Sequence, residues 1–97
     1  MAKIQKFEDL EIWQLAKQVR VEAYRISDLD PIKSDFGLKD QFGRAAMSIS
    51  DNVAEGFEYN NNPDFVRFLT YAKGSSGEFR NKLIILEETK KNFKKRL

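Results

Sequence analysis

The stretch DFGLKDQFGRAAMSISDNVAEGF, residues 35–57, decides the fold. Leu38, Phe42, Ala45, Ile49 and Val53 recur at spacings of three and four, which puts them in one stripe along an α-helix. A strand would instead alternate at every second residue. Ser34 or Asp35 is suited to cap this helix by accepting a bond from a free backbone N–H. Gly43, Ala45, Ala46, Ser48, Ser50, Ala54 and Gly56 are small, so a neighbouring helix can come close. Gly56 is also expected to help end the helix ahead of Asn60-Asn61-Asn62. A polar row, Gln41, Arg44, Ser48, Asn52 and Glu55, runs beside the apolar stripe.

The two prolines bound this segment. Pro31 follows Asp28-Leu29-Asp30, and Pro63 lies in Tyr59-Asn60-Asn61-Asn62-Pro63-Asp64, both turn-like. Before the first turn, Ile12, Ala16, Val19, Ala23 and Ile26, with Leu15, form a stripe at helical period. A second arc holds Leu10, Trp13, Val21 and Tyr24, with Lys17 and Arg20 between the two. A helix with two apolar faces is expected to pack on two sides, and Trp13 and Tyr24 are read as packing or interface aromatics. After the second turn, Asn62 as cap, Pro63 at the first helical position and Asp64 in the first turn signal a new helix. Phe65, Phe68, Leu69, Ala72, Ser76, Phe79, Leu83 and Leu86 keep its phase. That phase crosses Gly74-Ser75-Ser76-Gly77, so one continuous helix with a close-contact surface is expected despite about 1 kcal/mol lost per interior Gly.

Three amphipathic helices with short connections predict an all-α, antiparallel up-and-down bundle. The reading is a single domain, residues 1–97, with helices over 8–28, 35–57 and 63–90 and a fraying basic tail over 90–97. A domain of 97 residues buries a modest fraction of its surface and gains from an added subunit.

Composition narrows the chemistry. The chain has no Cys and no His. That removes disulfides, thiolate zinc sites, the commonest general base and the commonest metal ligand. The di-iron pattern of helix bundles needs Glu-x-x-His, and Gly-Ser-Ser-Gly lacks the Lys and preceding strand of a phosphate loop. No metal, cofactor or small-molecule substrate is expected, and no enzyme. Arg44 and Glu55, eleven residues apart, lie about three turns from each other and cannot pair within one helix. The row they belong to reads first as a structural or interface network, since buried polar groups must be paired. With no signal-like N-terminus and no apolar run of membrane-spanning length, a cytoplasmic protein is expected.

Charge is uneven. Residues 34–62 hold two basic and five acidic side chains, whereas residues 63–97 hold nine basic and four acidic. Arg67, Lys73, Arg80, Lys82, Lys90, Lys91, Lys94, Lys95 and Arg96 form the candidate surface for a polyanion. Contacts would be mainly to phosphate, because no base-reading motif is present.

Three groups of residues also carry a resemblance. They are Phe7-x-x-Leu10-x-x-Trp13-x-x-Ala16; then Phe36-Gly37-Leu38-x-x-Gln41-x-x-Arg44-Ala45-Ala46-x-Ser48-Ile49 with Asn52-Val53-Ala54-Glu55-Gly56; and Phe65-x-x-Phe68-Leu69-x-x-Ala72-x-Gly74-Ser75-x-Gly77-Glu78. Together they resemble the bacterial 23S rRNA intervening-sequence proteins, over about residues 7–80. The resemblance implies a four-helix up-and-down bundle, a ring-like homopentamer and an association with rRNA genes. It also implies kinship with a bundle that accompanies diversity-generating retroelements and is thought to engage RNA and a reverse transcriptase. The chain departs from the family after Leu86, where no turn and no fourth amphipathic stripe is visible; three helices are clear.

Two functional readings follow. The first is a homo-oligomer that binds RNA or other nucleic acid through the basic C-terminal surface. The alternative is a protein-interaction scaffold with no nucleic-acid role.

Overall fold

A computed structural model describes residues 3–30 and 32–96, with side chains described as far as Thr89. It contains three long helices, α1 (Glu11–Ser27), α2 (Phe36–Glu58) and α3 (Asn62–Arg96), and no strand among the described residues. Two short 3₁₀ turns, Phe7–Asp9 and Ile32–Ser34, precede α1 and α2.

Asp35 begins α2: its carboxylate accepts from the Leu38 backbone N–H at 3.0 Å, satisfying one free donor of the first turn. Phe42, Ala45, Ile49 and Val53 are buried as the stripe requires, and Leu38 is half-buried. Ala46, Ser50 and Gly56 are buried too, because α2 has a helix on two sides. Lys39 faces Asp28 and Gly43 faces Arg20, while Ser48 faces Ser75 and Gly56 faces Phe68. In both pairs residue numbers rise in one helix as they fall in the other, so each neighbour runs antiparallel to α2. Phe42 meets Phe79 with ring centroids 4.7 Å apart at the centre of the core.

Three local expectations change. Gly56 does not end α2. The helix continues to Glu58, and Asn60 makes the turn at a positive φ of 59°. A Cβ on Gly56 would lie 2.6 Å from the Cβ of Phe68, so this glycine is required by close helix approach. The cap of α3 is Asn61 rather than Asn62: its side-chain oxygen accepts from Asp64 N at 2.9 Å and its amide donates to the Asp64 carboxylate at 2.8 Å. Pro63 then falls one place later, where its missing N–H is still no loss. α1 starts at Glu11, not at residue 8, because Leu10 is extended and Phe7 folds back in a 3₁₀ turn onto Trp13, with ring centroids 5.3 Å apart.

α1 packs along one side only. Ala16 and Ala23 are buried, and Leu10, Trp13, Val19 and Ile26 lie half-buried against the core. Ile12 and Leu15 stay 46% and 55% exposed, and Val21 and Tyr24 are exposed too. Among the described residues α2 alone packs lengthwise against α1, and the second neighbour expected for it is not found there. Ile12, Leu15 and Val19 instead line, with Leu69, Lys73 and Ser76, a groove of about 250 Å³ floored by Ile49 and Val53. Ile32, in the second 3₁₀ turn, is fully buried although no periodicity marks it.

Candidate nucleic-acid interface

α3 is 35 residues long, about 52 Å at the α-helical rise, and 12 residues longer than α2. It carries the candidate basic residues, and the structure separates them. Arg67 is committed near the start of the helix. Its guanidinium bonds Asp64 at 2.9 Å and lies 4.8 Å from the Phe68 ring centroid and 6.0 Å from that of Tyr71. The Asp64 bond, followed by one with Tyr71, raises the Arg67 pKa above its ordinary value. Asp64 is shifted the other way: the Asn61 amide first, and Arg67 second, hold its carboxyl below the usual carboxylate value of 3.8. Lys82 lies 3.6 Å from Glu78, and its side chain is only 19% exposed.

Lys73 and Arg80 differ. Both are exposed, neither forms an ion pair among the described residues, and seven residues put them on one helix face, about 10 Å apart. Lys73 also borders the apolar groove between α1 and α3. Such a face can attract phosphate, although Glu87, exposed seven residues beyond Arg80, lies on the same side of the helix. The side chains of Lys90, Lys91, Lys94, Lys95 and Arg96 lie outside the described residues.

The polar row of α2 divides as well. Ser48 and Ser75 hydroxyls meet at 2.7 Å across the α2–α3 contact, and the Asn52 amide donates to the Ser48 carbonyl at 2.7 Å and to its hydroxyl at 3.1 Å. These three half-buried groups satisfy one another, as polar groups between packed helices must. Gln41, Arg44 and Glu55 face solvent instead, and Arg44 pairs with Asp40 at 3.0 Å.

Trp13 is half-buried, with Phe7 on its ring and the Lys17 ammonium 5.8 Å from its centroid. Tyr24 is exposed, and the Arg20 guanidinium lies over its ring, 3.6 Å from the centroid. Sequence reading gave Arg20 no role. The i,i+4 spacing to Tyr24 was the one signal, whereas its neighbours Lys39, Gly43 and Arg44 come from α2 and meet it only on folding.

Among the described residues no helix is long and apolar enough to cross a membrane, and no group of three or more acidic side chains is placed to hold a metal ion. Comparisons with curated proteins and with solved structures give no match. The family model described as 23S rRNA-intervening sequence protein does match, over residues 8–95, which takes in α1, α2, both connections and α3 but for its last residue. The chain therefore belongs to the 23S rRNA-intervening sequence protein family.

Proposed function

We propose that this chain is a non-enzymatic, homo-oligomeric bundle protein that binds RNA through the basic face of α3. The observation that supports RNA binding most directly is the pair Lys73 and Arg80, exposed on one face with no acidic partner among the described residues. The same helix leads on to the tail that contains Lys90, Lys91, Lys94, Lys95 and Arg96. The family's description ties it to 23S rRNA, which makes RNA the polyanion to test first. A non-enzymatic role agrees with a sequence that holds no His and no Cys.

Association is supported by the half-open groove between α1 and α3. Ile12, Leu15, Val19 and Leu69 line it, and two of them are about half exposed. Apolar surface of this kind is costly in a monomer. In our reading a neighbouring copy covers it, completing the four-helix arrangement and building the family's ring. Five copies would also set their α3 faces side by side and multiply the positive field.

The test is binding of a structured rRNA fragment and a random RNA at low and physiological salt. The double variant Lys73→Ala/Arg80→Ala is expected to weaken binding to both RNAs alike and to reduce the slope of log affinity against log salt by roughly 1–2. Alanines at Lys90, Lys91, Lys94, Lys95 and Arg96 should reduce it further. Binding unchanged in both variants removes α3 from the reading. No binding by the intact protein at either salt leaves the scaffold role in its place.

A further inference from the structure

A second basic site lies away from α3, between α1 and α2. Arg20, Lys39 and Arg44 line one cleft of about 290 Å³ with Tyr24, Ser27, Gly43 and Met47, and Asp40 is the single carboxylate among its walls. Lys39 is held loosely by Asp28, at 3.8 Å, and Arg44 by Asp40, at 3.0 Å. Arg20 makes no ion pair or hydrogen bond among the described residues, and its Nε is buried without an acceptor. A guanidinium carries five N–H donors, and a buried donor left unmade costs free energy. Arg20 is held in place all the same. The Tyr24 ring lies under it, with the guanidinium carbon 3.6 Å from the ring centroid, and Gly43 on α2 faces its tip, where an added Cβ would stand in ordinary contact with Nη1 at 3.6 Å. The result is a planar fork, fixed before any ligand arrives and lacking its acidic partner.

We infer that this cleft takes one nucleotide of a single-stranded RNA segment, with the phosphate on the Arg20–Lys39–Arg44 cations and the base on the exposed face of Tyr24. The chemistry matches at both ends. A guanidinium fork fits two phosphate oxygens, and Lys39 and Arg44 add point charge from the α2 side. Tyr24 is 59% exposed, so the ring face turned away from Arg20 can receive a base. The cleft of about 290 Å³ has room for the phosphate, and the base lies beyond it on the far face of the Tyr24 ring. A duplex keeps its bases stacked and can offer this site its phosphates alone. The site therefore selects unpaired RNA, and it deepens the RNA-binding reading, on which it rests.

The experiment measures affinity of the full chain for a single-stranded RNA oligonucleotide and for a blunt RNA duplex of the same sequence, with inorganic phosphate at matched ionic strength as a third probe. Tyr24→Ala is expected to weaken single-strand binding roughly 5- to 150-fold, the range for loss of one base–aromatic stack, and to weaken duplex binding much less, by the looser hold on Arg20 alone. Arg20→Lys keeps the charge but loses the fork, and should weaken both RNAs. Circular dichroism and thermal melting confirm that each variant is folded. Wild-type RNA binding that neither variant alters overturns this site while the basic face of α3 remains standing. If the intact chain binds no RNA, both readings fall together. If inorganic phosphate displaces the RNA and Tyr24→Ala changes nothing, the cleft is a plain oxyanion site and the nucleotide assignment is wrong.

Discussion

Gly56 and Gly74 are the same residue type in helices of one chain, and the structure gives them opposite weight. At Gly56 the obstacle is the Cβ of Phe68, 2.6 Å from where a new Cβ would stand. A Cβ cannot rotate away, so α2 and α3 must move apart. Gly56→Ala is expected to cost about 1–3 kcal/mol, the usual range for overpacking, in urea-denaturation midpoints. Gly74 meets nothing within 4 Å. Gly74→Ala should stabilise the isolated chain by about 0.5–1 kcal/mol, because alanine has less backbone freedom to lose in a helix. A loss of stability at Gly74 would instead put a neighbouring copy against that face. The sequence signals the small-residue row clearly, but it does not say which glycine another helix touches. Asp35 was legible as a cap because capping is decided within four residues. Arg20 was not, because its partners lie up to 24 positions away at Arg44.

At the scale of one element, α3 depends on its first turn more than on its middle. Its glycines and serines at 74–77 are poor helix formers, so the reciprocal Asn61–Asp64 bonds and the Arg67 pair matter for where the helix begins. Asp64 carries a pH signature. Its folded pKa lies below the ordinary 3.8, so the carboxylate contributes stability above that value, and the contribution is lost as pH falls through the lowered folded value. Thermal melts run from neutral pH to well below 3.8 should therefore show a steeper acid decline for the wild type than for Asp64→Asn. Equal declines would mean that Asp64 titrates as it does in the unfolded chain. Helix type was readable here because periodicity is local, but the end was not, since α3 runs to Arg96 rather than stopping at residue 90. The one-residue error in the cap arose because three consecutive asparagines offer the same side chain, and only the geometry of Asp64 N selects Asn61.

On the scale of the whole molecule, the question is what covers α1. Two apolar arcs were visible in its sequence, and a single chain fills only part of them. Leu10, Trp13, Ala16 and Ala23 find the core, whereas Ile12, Leu15, Val21 and Tyr24 remain open. If the groove between α1 and α3 is an interface between copies, a charge in it is expensive to bury. Leu15→Glu should then lower the molar mass seen by light scattering toward that of one 11.3 kDa chain while the helical circular dichroism signal is kept. An unchanged mass would place the contact between copies elsewhere.

What the sequence by itself determined is the all-helical class, the three segments, the stripe of α2 and the family, because periodicity, caps and turn residues act over a few positions. What only the tertiary structure decided is which small residues are contact points, which polar groups pair across helices and which cations stay free. Ser48 needs Ser75, Gly56 needs Phe68, and Arg20 meets Lys39 and Arg44 only across the α1–α2 contact. Each of these pairings depends on the rotation of one helix about its axis relative to its neighbour. That rotation is set by the packing of the whole core and is not written in any single stretch of chain.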